Sequence, residues 1–152
     1  MGRKNLDRIR IYQEVLKAGR HIDLNLEGRS MFPFIMPGDK AKVRWVPLAR
    51  TRIGEVVVFR GGQGKLVSHR IIFKKGDKVI TKGDFSPCWD RKWKSEDYLG
   101  KLEELKGKRN LLFQLSQAFY PLPILWSISV SLLSFWLHPF FRLYLTMRER
   151  RK

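Results

Sequence analysis

One serine of the chain has neighbours that suit a nucleophile. Ser30 follows a predicted strand and Gly28, and it opens a turn-rich stretch, SMFPFIMPGD. A tight turn exposes a side-chain hydroxyl and points backbone N–H groups toward a developing oxyanion. Because a serine close after a glycine is also an ordinary turn residue, Ser30 is a candidate nucleophile only if the chain supplies a base.

Three histidines are candidates for that base, because only imidazoles titrate near neutral pH. His21 begins a strand ahead of Ser30, and His138 lies in an apolar C-terminal stretch. His69, in KLVSHRIIF, lies inside a predicted strand, where its ring can face Ser30 across a sheet. A lone histidine in a strand is, however, more often a surface or satisfied core residue, so the pattern alone leaves His69 as a candidate base.

These residues must be positioned by a helix and several short strands. Residues 6–18 predict an amphipathic helix that Gly19 closes, with an apolar stripe of Ile9, Ile11, Tyr12, Val15 and Leu16. Strand patterns follow at residues 21–26, 41–46, 54–59, 66–73 and 78–81. The fold class is therefore predicted to be mainly β, an antiparallel sheet or partly closed barrel. Residues 92–110 are a polar stretch in which no strand is predicted.

The C-terminal part differs in composition. Residues 118–137 carry no charge, and about 20 apolar residues are what a bilayer crossing needs. Prolines at 121, 123 and 139 make a broken, re-entrant or hairpin segment an alternative to a straight span. Aromatic residues suited to an interface are Tyr120, Trp126, Trp136 and Tyr144. The predicted parts are thus an amphipathic helix (1–20), a catalytic domain (21–110) and a membrane-associated segment with a basic tail (111–152).

Charge and cysteine content limit the partners. The net charge of +17 attracts phosphate, on anionic lipid or on nucleic acid. Cys88 is the single cysteine, so no intrachain disulfide forms, and with scattered histidines we expect no metal site and no cofactor. The charged residues 1–20 lack the apolar stretch of a secretion signal, so export by that route is not expected.

Four blocks of the chain resemble, in order and approximate spacing, the type I signal peptidases. The blocks are GRSMFPFIMPGD, GEVVVFR, VSHRII and TKGDFSPCWDR, and the resemblance covers about residues 28–102, half of the chain. In the bacterial branch of that family a lysine occupies the position of His69. The chain is therefore similar to the endoplasmic-reticulum and archaeal branch, which pairs serine with histidine and aspartate.

The resemblance implies a role for each matching residue. Ser30 corresponds to the nucleophile and His69 to the base. Asp90 corresponds to the aspartate that completes the apparatus, and Asp84 to a second aspartate that shapes the site. Either carboxylate can fix the tautomer of the imidazole, and we favour Asp90.

Two positions depart from the pattern of the family. Phe85 stands where asparagine is common, next to the Gly-Asp pair. Gly28 stands where some bacterial members carry a serine that donates to the oxyanion. The oxyanion is therefore expected to rely on backbone N–H groups, chiefly that of Ser30.

The apolar residues after the nucleophile are implied to bind substrate. In the resembled enzymes such residues line shallow pockets for small side chains and touch lipid; here they are Met31, Phe32, Phe34 and Ile35. The implied activity is a membrane-associated serine endopeptidase that removes signal or leader peptides after small, alanine-like residues. Membrane lipid is the second expected partner, no nucleic acid is expected, and the oligomeric state stays open.

Alternatives remain for both activity and topology. The same scaffold could be an inactive basic module that binds membranes or nucleic acid, with five tryptophans for stacking. Self-cleavage of the kind seen in SOS-response repressors requires a lysine base, against which His69 argues. Because positive charge tends to remain inside, we expect the catalytic domain to face the cytoplasm, although the membrane side stays open.

Overall fold

The computed structural model describes residues 2–76, 78–90, 93–107, 109–119 and 121–133. The elements, in chain order, are α1 (Gly2–Lys17), β1 (His21–Asn25), β2 (Lys40–Arg44), β3 (Val56–Arg60), β4 (Leu66–Lys75), β5 (Lys78–Lys82), β6 (Tyr98–Lys106) and α2 (Asn110–Ala118). Residues 121–133 are also helical. The end of the predicted apolar segment, the basic tail, Tyr120, Trp136, His138 and Tyr144 lie outside the described residues.

The strands form one antiparallel sheet in the order β1-β2-β6-β3-β4-β5. The prediction of a mainly antiparallel β fold with an N-terminal helix is confirmed. All five predicted strands are present, with their ends within two residues of the predicted ones. β1 and β5 end the strand order, so backbone pairing does not close the sheet within the part of the chain described.

Residues 92–110, a polar stretch in which no strand was predicted, contain β6, which pairs with both β2 and β3. The strand was not predicted because charged residues interrupt its apolar pattern. They are balanced by neighbouring strands, since Lys101 pairs with Glu55 and Glu104 with Lys42. Leu99, meanwhile, is fully buried in the core. Cross-strand ion pairs thus let a charged segment occupy the middle of the sheet.

Both helices pack on the sheet through one side. Ile9 and Leu16 of α1 and Phe113 of α2 belong to the same buried cluster as Val56 and Val58 of β3. Ile11 was predicted in the buried stripe, but it is 57% exposed because the helix turns that position toward solvent. The predicted boundary between residues 110 and 111 falls inside α2, whose Phe113 lies in the core of the domain.

In the C-terminal part, the described residues include α2 and a second helical stretch at 121–133. α2 ends at Ala118, and helical residues resume at Pro121, a position where proline is well tolerated because its missing N–H has no intrahelical partner. None of the helices within the described ranges is long and apolar enough to cross a membrane.

Candidate active site

The structure brings Ser30, His69 and Asp90 together in one chain of hydrogen bonds. The Oγ of Ser30 lies 2.8 Å from Nε2 of His69. On the other side of the ring, Nδ1 lies 2.7 Å and 2.9 Å from the two carboxylate oxygens of Asp90. An ionised carboxylate only accepts hydrogen bonds, so Nδ1 carries the proton and Nε2 is left to accept the serine proton.

Each member comes from a different local structure. Ser30 lies in the turn that follows β1, and His69 lies in β4, paired with Val57 of β3. Asp90 lies after β5, where its backbone N–H donates to the carbonyl of Thr81. The hydrogen-bonded set of Ser30, His69 and Asp90, called the relay from here on, therefore combines one residue of a regular strand with two residues of turns that adjoin the sheet.

The relay is partly shielded from water. His69 is 8% exposed, and the ring of Phe59 meets it edge-on at 6.2 Å. The hydroxyl of Thr81 donates to Asp90 over 2.7 Å and accepts from the indole N–H of Trp93. These contacts fix the carboxylate, and in a shielded site such hydrogen bonds are electrostatically stronger than in water.

Asp84 has a different partner. Its two oxygens accept from Nε and Nη2 of Arg70 at 2.8 Å and 2.7 Å, and both side chains are fully buried. Burial raises the pKa of Asp84, against the opposing effect of the Arg70 guanidinium. The implied second role of Asp84, to orient the imidazole, is not seen: the residue binds Arg70, whereas Asp90 binds His69.

Gly83 lies where the loop after β5 meets the serine turn. A Cβ at this position would lie 2.6 Å from the carbonyl oxygen of Ser30 and 3.0 Å from Nε2 of His69. The N–H of Phe85 donates to that same carbonyl over 2.7 Å. Only a residue without a side chain fits here, because the backbone of the loop itself forms a wall of the site.

A groove of about 690 Å³ opens in front of Ser30 and His69. One wall is formed by residues 23–28, at the end of β1, and the other by residues 65–69, at the start of β4. Within the described residues, neither wall has a strand paired on the groove side, because β1 pairs only with β2 and β5 pairs with β4 only from Arg70 onward. Both walls therefore offer backbone groups to an extended chain.

The four apolar residues predicted to bind substrate divide into two pairs. Met31 and Ile35 line the groove, and both are almost fully buried. Phe32 contacts Phe85 edge-on at 5.5 Å, and Phe34 stacks under the guanidinium of Arg70. Neither Phe32 nor Phe34 lines the groove.

Thr81, Gly83 and Arg70 were missed as contributors to the site. All three lie inside the quoted blocks VSHRII and TKGDFSPCWDR, but the one-dimensional pattern does not show which atoms they contact. Within the described ranges, no cluster of His, Cys, Asp and Glu side chains is suited to hold a metal ion. Comparison with known proteins found no family model and no curated protein that matches the chain.

Proposed function

We propose that the chain is a serine endopeptidase of the signal-peptidase kind, with Ser30 as nucleophile, His69 as general base and Asp90 as the residue that orients the base. The observation that carries this proposal is the continuous path from Ser30 Oγ through both ring nitrogens of His69 to the Asp90 carboxylate. A binding module has no need of such a path.

The geometry supports a two-step acyl transfer. Ser30 Oγ attacks the scissile carbonyl carbon while its proton moves to Nε2 of His69, and Asp90 stabilises the resulting imidazolium. The imidazolium then protonates the leaving amine, and a water molecule activated by the same ring hydrolyses the acyl-enzyme. Within the described residues the N–H of Ser30 donates no hydrogen bond, so it is available to the oxyanion.

The groove supports an extended peptide as substrate. A peptide between the two unpaired walls adds hydrogen bonds on both of its edges, which is the mode of recognition by strand addition. Met31 and Ile35 give the groove an apolar lining beside the nucleophile. Signal or leader peptides with alanine-like residues before the cut fit this surface.

Membrane association is the second part of the proposal. The helical residues after Arg109 turn large apolar side chains outward: Leu111, Leu115, Phe119, Leu122, Leu125, Ile128, Leu132 and Leu133 are each between 45% and 70% exposed. So continuous an apolar surface is characteristic of a site that meets lipid or protein. The net charge of +17 favours anionic lipid as that partner.

We further propose that the catalytic domain faces the cytoplasm, where it processes leader peptides or membrane-delivered propeptides. Lys106, Lys108 and Arg109 lie within about 15 residues of the apolar stretch, and the positive-inside tendency favours the cytoplasm for basic residues so placed. A tag placed at the N-terminus is then expected to resist protease added to intact spheroplasts and to be digested after lysis. Digestion without lysis contradicts the cytoplasmic location.

The proteolytic activity is tested with a peptide that contains an Ala-x-Ala site, mixed with the purified full chain in detergent. We expect Ser30→Ala and His69→Ala to lower kcat about 10³-fold or more. The matched controls, Ser95→Ala and His21→Ala, change exposed residues outside the relay and are expected to keep wild-type activity. Equal cleavage by all variants indicates a contaminant, and a folded wild type that cleaves nothing favours the inactive binding module.

A further inference from the structure

Lys82, the last residue of β5, is a buried cation outside the relay. Its side chain is almost fully shielded from water, and burial lowers its pKa, although Asp84 and Asp90 oppose that shift. All the hydrogen bonds of its Nζ within the described residues go to uncharged oxygens. These are the carbonyl of Ser127 at 2.7 Å, the hydroxyl of Ser127 at 2.6 Å and the carbonyl of Gly83 at 3.4 Å.

The two residues that flank Lys82 contact every member of the relay. On one side, the hydroxyl of Thr81 donates to the carboxylate of Asp90. On the other side, the backbone of Gly83 lies so close to Ser30 and His69 that a Cβ would collide with both. A displacement of Lys82 along or across β5 therefore moves both neighbours, and with them all the contacts that hold the relay together.

Ser127 belongs to the helical residues 121–133, which follow the catalytic sheet in sequence. It is 1% exposed, whereas Ile128 beside it is 50% exposed, so Ser127 lies on the side of the helix that faces the domain. Pro123 on this side is also buried, and Ile124 and Val130 are partly buried. The hydrogen bonds from Lys82 to Ser127 therefore add a specific polar attachment to these apolar contacts.

A second contact of the same kind lies one helix earlier. Nη1 and Nη2 of Arg70 donate to the carbonyl and the hydroxyl of Ser116 in α2, at 3.3 Å and 3.2 Å. The carbonyl of Ser116 is among the last four of the helix, which lack intrahelical donors and carry its partial negative charge. The residue after His69 is thus also held by a serine of the C-terminal helices.

We propose that Ser127 is a positioning residue of the active site. By binding Lys82 it fixes the end of β5, so that the relay is aligned only while residues 121–133 are docked on the domain. The docking of residues 121–133 is then coupled to the alignment of the relay. The kinetic part of this inference rests on the proposed function, whereas its structural part does not.

The test compares Ser127→Val with Ser127→Thr in the full chain in detergent micelles. Threonine and valine have nearly the same shape, but only threonine keeps the hydroxyl for Lys82. Ser129→Val is the matched control, because Ser129 is exposed on the same helix and its hydroxyl, among the residues described, bonds to the carbonyl of Leu125 alone. Circular dichroism and urea midpoints establish that each variant is folded.

Two readouts are taken. The first is the ring ¹H–¹⁵N resonances of His69, assigned with His69→Ala; we expect them to shift in Ser127→Val and to match wild type in Ser127→Thr and Ser129→Val. The second is peptide cleavage, where we expect kcat of Ser127→Val to fall by about 10- to 100-fold with KM nearly unchanged. A positioning role predicts this separation, because the groove residues that bind the peptide do not touch Ser127.

The outcomes separate this inference from the proposed function. Wild-type His69 resonances in folded Ser127→Val overturn the inference, and so does an equal effect of Ser129→Val. If Ser127→Val does not fold, Lys82→Met replaces it, and unchanged His69 resonances in that variant also overturn the inference. If the wild type cleaves no peptide, the proposed function fails, but the resonances of His69 still decide whether Ser127 positions the ring.

Discussion

A single methyl group at Gly83 is expected to disable the site while leaving the fold intact. Gly83 does not have a positive φ, so alanine is compatible with its backbone conformation. The Cβ of alanine, however, would lie 2.6 Å from the carbonyl oxygen of Ser30, against at least 3.4 Å for an ordinary contact. The Cβ of residue 83 and the carbonyl oxygen of Ser30 would have to separate by about 0.8 Å. Both are attached to backbone, so neither can rotate away as the end of a flexible side chain would.

The consequence for catalysis follows from the hydrogen bond between Ser30 and His69. That bond is 2.8 Å long, and a shift of about 0.8 Å in Ser30 away from the ring lengthens it to about 3.6 Å, beyond hydrogen-bond distance. A misplacement of about 1 Å costs on the order of 100-fold in rate. We therefore expect kcat/KM of Gly83→Ala to fall about 100-fold, with a loss of about 1–3 kcal/mol in the free energy of unfolding, typical of overpacking.

The assay is chromatographic quantification of cleaved Ala-x-Ala peptide, with urea unfolding of the same protein preparations. Gly62→Ala is the matched control, because a Cβ at Gly62 meets nothing within 4 Å. It is expected to keep wild-type activity. A folded Gly83→Ala protein whose kcat/KM stays within about threefold of wild type would refute the reasoning, since the clash would then be relieved without disturbing Ser30.

Three further predictions concern the carboxylates. Asp90→Asn is expected to lower kcat about 10³- to 10⁴-fold in the peptide assay, because the amide stabilises the wrong tautomer of the base; a loss below tenfold contradicts that role. Arg70→Met leaves Asp84 buried without its partner, so we expect the free energy of unfolding, measured by urea titration, to fall by about 3–5 kcal/mol. An unchanged urea midpoint would rule out the buried pair as a stabilising contact. Burial opposes ionisation of Asp39, but hydrogen bonds from Arg109 and a backbone N–H outweigh it and hold its pKa below the ordinary 3.8. The ionised group therefore stabilises the fold above about pH 4, and this contribution is lost as the pH falls through the lowered pKa. We expect Asp39→Asn to have a lower free energy of unfolding at pH 7 and a weaker dependence of that free energy on pH in the acid range. Parallel plots of the free energy of unfolding against pH for the two proteins would contradict this.

Much of the site follows from local sequence patterns. Turn residues after a period-two segment predicted where Ser30 lies, and the turn residues that bound residues 66–73 predicted the strand that carries His69. Such patterns report on neighbours in sequence and therefore serve well for strands and turns. They failed for β6, because its charges are balanced by partners on strands distant in sequence, such as Glu55.

The C-terminal helices show the same limit. Hydropathy emphasises the leucines of residues 118–137 and so indicates one apolar segment. In the structure the informative residues are two serines, Ser116 and Ser127, which bind Arg70 and Lys82. A serine in an apolar segment carries almost no weight in a hydropathy average, and its partner is decided only by the tertiary fold.

The choice between Asp84 and Asp90 follows from strand geometry. Successive residues of a strand point to opposite faces of the sheet, so His69 and Arg70, adjacent in β4, require separate partners. Asp90 lies on the face of His69 and Asp84 on the face of Arg70, where the guanidinium holds both of its oxygens. Asp84 therefore cannot replace Asp90 without leaving Arg70 buried and unpaired. The low activity expected of Asp90→Asn should consequently stay low in a double variant that also changes Arg70 to methionine, because freeing Asp84 from its partner does not carry it across the sheet.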